Sequence, residues 1–278
     1  MLERMRMTGD NRAVRPPAPL RISNPPLDDD AVGALLSRVL GAAARVGGSG
    51  VVVFDLDSTL LDNRPRQAQI MREYGRAAQL AELAACETGH WRSWDERVAM
   101  ANAGLPDAAI DEHAAPFKRF WFDRFFTSEY CALDAPIAGA PGYVRAVAAR
   151  GARVRYVTGR HEAMRHGTAR SLRRADFPEA DGDRVALWMK PDLDEDDGAY
   201  KRRIHGRLDA LGQVVAAFDN EPRHINDYRE RFADAICVHL ATDHSPDAVR
   251  VEAGIPSIPD FRSHLSADGA LVGYSRGE

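Results

Sequence analysis

Cysteine is scarce in this chain. Only Cys86, Cys131 and Cys237 occur among its 278 residues; they stand far apart and no two form a CxxC pair. A disulfide framework and a cysteine metal centre are both poorly supported, and the expectation is three reduced thiols in a cytoplasmic protein. Long apolar runs are missing too. None approaches the ~18 residues that a membrane-spanning helix needs, and the polar, Arg- and Pro-rich start lacks the apolar centre of a secretion signal. There is no GxGxxG and no GxxxxGK[ST], so dinucleotide and nucleotide-loop readings have no motif behind them. Charge of one sign is also lacking: the net charge is -4, with both signs mixed along the chain. The basic start and "RSLRR" at 170–174 are too dispersed to make a nucleic-acid footprint.

What is present suits a folded enzyme-sized chain. Hydrophobic residues make up 45% of it, the usual share for a globular core. Val51 to Phe54 is a continuous apolar run, as expected of a strand buried on both faces of a parallel sheet. Similar runs lie at Ala152 to Arg160, Val214 to Pro222 and Ala235 to Thr242, with Arg184 to Lys190 as a fifth. Helical patterns fall between them, among them "PGYVRAVAARG" and "YKRRIHGRLDALG". Strand and helix in alternation predict an α/β fold with a Rossmann-like parallel sheet and helices on both faces.

Four boundaries follow. Residues 1–28 read as a flexible leader, and 263–278 as a polar tail. A helix with Asp28 to Asp30 at its start and Gly47 and Gly48 at its end opens the main domain, 29–63 and 135–262. The first two strands are separated by roughly 90 residues, far more than a crossover needs. The stretch 64–134 is helical by pattern and reads as a separate cap domain. Phe117, Phe120, Trp121 and Phe125 in it share one helical face, expected to be cap core rather than a ligand surface. The acidic loop "DLDEDDG" at 192–198 fails the calcium-loop spacing and reads as solvated.

Three strand ends carry polar sets: Asp55 and Asp57, then Thr158, Gly159 and Arg160, then Asp219, Asn220 and Glu221. In an open parallel sheet such ends converge on the ligand crevice. This pattern resembles the haloacid dehalogenase-like superfamily of phosphotransferases. "FDLDSTLLD" resembles its first motif, "YVTGR" its second and "AFDNEP" its acidic fourth, and Lys201 resembles the third-motif lysine. The resemblance implies a helical C1-type cap after the first motif.

It also implies roles. Asp55 is the expected nucleophile, forming an aspartyl-phosphate. Asp57 is the expected proton donor to the leaving oxygen, and an acid there favours phosphate esters over carbon–halogen bonds. Ser58, Thr158, Gly159 and Lys201 are expected to hold the phosphate, with Lys190 a rival for the lysine. Mg²⁺ is expected on Asp55, Asp219 and the backbone carbonyl of Asp57. Asn220 or Glu221 is expected to hold a metal-bound water, or else to form a polar turn. Arg160 and His161 line the same strand exit, within reach of substrate, with solvation the expected role of His161. The expected partner is a small phosphorylated metabolite, hydrolysed at its monoester. A phosphomutase on the same residues and a catalytically idle binding module are the alternatives.

Overall fold

The structure, a computed structural model, describes residues 24–180, 182–245 and 249–264. The expected tail from 265 onward and residues 1–23 of the expected leader lie outside the described residues.

In chain order the elements are α1 (Asp29–Val46), β1 (Gly50–Phe54), β2 (Leu61–Asp62), α2 (Arg64–Ala77), α3 (Ala81–Ala84), α4 (Glu96–Asn102) and α5 (Asp107–Phe125). Then follow β3 (Ala135–Pro136), α6 (Ala140–Ala149), β4 (Arg153–His161), α7 (Arg165–Arg174), β5 (Val185–Lys190) and α8 (Asp197–Leu211). The last are β6 (Gln213–Asp219), α9 (Pro222–Arg231), β7 (Ile236–Leu240) and β8 (Ser257–Ile258). One six-stranded sheet has the order β5-β4-β1-β6-β7-β8, and every pairing in it is parallel.

The alternation of a strand explains the two layers. Val52 and Phe54 of β1 face α1 and α6, whereas Val51 and Val53 face α8 and α9. All four are fully buried, which is why the run carries no polar residue. Phe54 stacks on Phe218 of β6 at 4.8 Å between ring centroids. The expected parallel sheet with helices on both faces is what forms. Asp28 caps α1 by accepting from the Ala31 amide at 2.9 Å, and Gly47 ends the helix with a left-handed φ of 57°.

Two expectations need correction. Residues 24–28 are not loose: the Leu27 amide donates to the Ser257 carbonyl at 2.9 Å, and the Asn24 amide reaches the Ile255 carbonyl at 2.8 Å. The short β8 lies outside any apolar run long enough to flag it, so its hold on this segment was invisible in sequence. And α1 with the turn after it, Asp29–Ser49, is by length and composition apolar enough to cross a membrane, at a mean hydropathy of 1.2. In the fold its Leu36, Val39 and Leu40 side is buried against the sheet.

The chain between β2 and β3 builds a second apolar cluster. Ile70, Met71 and Tyr74 of α2 pack on Phe117, Trp121 and Phe125 of α5, with Trp91 and Met100 between. The aromatic face is thus core. β2 and β3 pair antiparallel, Leu61 with Pro136 and Asp62 with Ala135, where the chain leaves and rejoins the sheet domain. The acidic loop is local scaffolding: Asp196 caps α8 through the Ala199 amide, and Glu195 pairs with Arg203.

Candidate active site

The order of strands reverses direction around β1, with β4 on one side and β6 on the other. Ligand sites of open parallel sheets lie beyond the C-terminal strand ends at such a point; here β1 runs into Asp55, and β4 and β6 end in Thr158 to His161 and in Asp219. Lys201, in the second turn of α8, joins two of these ends. Its Nζ lies 2.8 Å from Asp55 Oδ1 and 2.7 Å from Asp219 Oδ2. All three are buried.

Two carboxylates thus share one ammonium. Burial, opposed by Lys201 and reinforced by the charge of Asp219, pushes Asp55 up to about 7. Asp219 goes the other way. Burial disfavours its charge, but Lys201 and His224 outweigh that and hold it below the usual carboxylate range. Lys201 stays charged: burial acts against the ammonium, and Asp219 and Asp55 together raise it well above the ordinary lysine value.

The turn after β1 is tight. The Leu56 carbonyl accepts from the amides of Thr59, Leu60 and Leu61, and the Ser58 amide donates to the Leu61 carbonyl at 2.7 Å. Ser58 takes a left-handed φ of 59° to make it, a conformation that costs a non-glycine residue about 1 kcal/mol or more. Thr59 closes the site from behind. Its Oγ1 donates to Asn220 Oδ1 at 3.1 Å and accepts from the Asn220 amide at 3.0 Å. The turn after β1 is thereby bolted to the turn after β6.

Thr158 is fully buried, and its Oγ1 accepts from the Arg160 amide at 3.2 Å. Its own O–H is left to donate. A Cβ on Gly159 would meet the Asp197 carboxylate and displace it. That carboxylate is held by Lys190 at 2.7 Å, and Lys190 also donates to the Leu193 carbonyl at 2.9 Å. Lys190 is therefore tied into the β5–α8 loop, and Lys201 is the lysine that meets Asp55.

Asp57 sits in a ring of charge that sequence reasoning did not anticipate. Arg160 forks onto it, Nε to Oδ2 at 2.8 Å and Nη2 to Oδ1 at 2.7 Å. Arg66 of α2 reaches the same Oδ1 at 3.0 Å. Both arginines also meet Asp134, at 2.9 Å from Arg66 and 2.6 Å from Arg160. Burial works against the Asp57 charge, but Arg160 and Arg66 prevail and hold its carboxyl well below the usual range. Arg160, expected at the strand exit facing substrate, is instead buried and spent on this ring. A single arginine after "TG" carries no signal for that; its partners lie 26 and 103 residues away.

The two residues expected to assist a metal are engaged elsewhere. The Asn220 amide nitrogen donates to the Asp243 carbonyl at 2.6 Å. Glu221 accepts from the Ser245 amide at 2.8 Å and the Ser245 hydroxyl at 2.6 Å. They act as a polar turn. Besides Lys201, His224 faces Asp219, with Nδ1 3.7 Å from Asp219 Oδ1.

No family model matches the chain, and no curated protein matches it in sequence. Solved structures resemble it at low identity. A hydrolase of the haloacid dehalogenase-like family from Streptococcus pneumoniae aligns over 74% of this chain and 92% of its own, at 10% identity and a TM-score of 0.45. Protein tyrosine kinase A from Mycobacterium tuberculosis aligns over 77% and 94%, at 13% identity and a TM-score of 0.47. The class C acid phosphatase from Bacillus anthracis aligns over 73% and 72%, at 15% identity and a TM-score of 0.40. The functional reading rests on the residues of the site.

Proposed function

We propose that this protein is a metal-dependent phosphomonoester hydrolase of the haloacid dehalogenase type, working through an aspartyl-phosphate on Asp55. The observation that carries the reading is the convergence of Asp55, Lys201 and Asp219, three residues distant in sequence, within hydrogen-bond reach at the strand exits of a parallel sheet.

The donor set fits a divalent cation. Two buried carboxylates with one ammonium between them leave a net negative charge, and the charge of Asp219 adds to burial in raising Asp55 to about 7. Asp55, Asp219 and the Asp57 carbonyl would hold the ion, with water completing its shell. Bound there, it neutralises charge between the nucleophile and the phosphoryl oxygens.

The remaining steps belong to the chain. Asp55 attacks phosphorus as the carboxylate and displaces the ester oxygen; Lys201 favours the ionised form against burial and offsets the phosphoryl charge. Thr158 donates its hydroxyl to a phosphoryl oxygen, and the backbone at Gly159 lets the phosphate approach without a side chain in the way. Asp57, its oxygens taken by guanidinium groups, holds no proton as it stands. Delivering one to the leaving oxygen, and taking one from the hydrolytic water, requires the Arg160 fork to open when substrate arrives. The helices of 64–134 act as the cap that shuts out water and selects a small phosphorylated metabolite.

Replacing Asp55 with Asn tests the reading. Turnover of a generic phosphate ester is expected to vanish while circular dichroism and melting remain those of the parent. Retained turnover refutes it.

A further inference from the structure

We infer that His224 is a ligand of the divalent cation beside Asp219, and that this site is built for a first-row transition ion rather than for Mg²⁺. The inference rests on the metal-dependent reading above.

His224 stands in the first turn of α9, which Pro222 opens. Its ring is nine-tenths buried, and Nδ1 has no hydrogen-bond partner. An unsatisfied buried ring nitrogen is costly, and its direction is the informative point. It faces Asp219 Oδ1 at 3.7 Å. That is beyond a hydrogen bond, and a few tenths of an ångström wider than the roughly 3.0–3.4 Å between two donors that each sit about 2.1 Å from one shared ion, so a small closure of the pair brings both onto it. The neighbouring alternatives are spent, Asn220 on Asp243 and Thr59, Glu221 on Ser245. Among the described residues no three His, Cys, Asp or Glu side chains form a ready-made cage; Asp219 and His224 would supply one edge of the shell, and Asp55, the Asp57 carbonyl and water the rest. An imidazole in place of a further carboxylate exchanges a charged, hard oxygen for a neutral nitrogen. Such a donor suits Zn²⁺, Fe²⁺ or Ni²⁺, whereas Mg²⁺ selects oxygen.

The test uses the full chain stripped of metal by a chelator and titrated with Mn²⁺ alone, a paramagnetic probe that accepts either donor. Electron spin-echo modulation reads directly bound ¹⁴N, and titration calorimetry reads affinity for Mn²⁺ and Mg²⁺ separately. The parent is expected to give imidazole ¹⁴N modulation that disappears in both His224→Ala and His224→Asp. His224→Ala is expected to weaken Mn²⁺ by about tenfold or more with a smaller effect on Mg²⁺, and His224→Asp to shift preference toward Mg²⁺. Asp219→Asn is the control. Mn²⁺ binding that depends on Asp219 but carries no ¹⁴N signal, or a signal that persists in both His224 variants, overturns the inference and leaves the metal-dependent reading standing. A parent that binds neither cation overturns both.

Discussion

His239 gives the most quantitative prediction the structure supports. It lies in β7, fully buried, between the Ser257 hydroxyl at 2.9 Å from Nδ1 and the Asn220 carbonyl at 3.0 Å from Nε2. A carbonyl only accepts, so Nε2 carries the hydrogen, and in the neutral ring Nδ1 accepts from the Ser257 hydroxyl. Burial favours that neutral ring and depresses its pKa from 6.5 to about 4. The unfolded chain therefore takes up a proton at higher pH than the native one. The stabilisation is complete above the unfolded value of 6.5 and drains away as pH falls toward the folded value. The full gap corresponds to about 3 kcal/mol, and at pH 5 about 2 kcal/mol of it is already lost. Other groups titrate in the same window, so the measurement is a difference. Urea unfolding of the parent and of His239→Gln is compared between pH 7.5 and pH 5. The glutamine cannot charge, so the stability gap between the two proteins is expected to change by about 2 kcal/mol in favour of the variant on acidification. A gap that stays flat refutes the argument that this imidazole is held neutral.

Two further substitutions probe the site's supports. Arg66→Ala leaves the buried Asp134 carboxylate with one guanidinium instead of two, and removes a cation stacked 3.9 Å over the Phe125 ring. A loss of about 3–5 kcal/mol in denaturant unfolding is expected, and a loss below about 1 kcal/mol would mean that the ring is not a unit. Gly159→Ala brings a methyl against the half-exposed Asp197 carboxylate, which can turn aside by giving up its pair with Lys190; it is expected to cost about 1 kcal/mol of stability or less and to depress phosphatase activity. Full activity in that variant would remove Gly159 from the phosphate cradle.

The parts of this fold that were legible in sequence are those fixed by local pattern. Val51 to Phe54 has to be a two-sided strand because four adjacent apolar residues satisfy both layers at once. Lys201 could be preferred over Lys190 because its helix leads into the acidic strand, and it is the one that meets Asp55. What escaped depends on contacts across the chain. Arg160 looks like any strand-end arginine until Asp134 and Arg66 are brought beside it. Asn220 and Glu221 look like metal helpers until the Asp243 and Ser245 backbone claims them. Two-residue strands such as β2, β3 and β8 have no periodicity to read.

The ribbon of β2 and β3 has a mechanical consequence. The outgoing and returning chains pair at Leu61 with Pro136 and Asp62 with Ala135, the Ile137 amide donates to the Leu60 carbonyl beside them, and the Arg66–Asp57–Arg160–Asp134 ring sits against them. Two separate tethers would let the helical insert slide and twist freely. A paired ribbon is a leaf spring: it resists shear and extension and yields mainly by bending about one axis. Any swing of the insert over Asp55 is therefore confined to a narrow arc, and Arg66, Asp57 and Asp134 lie at its pivot.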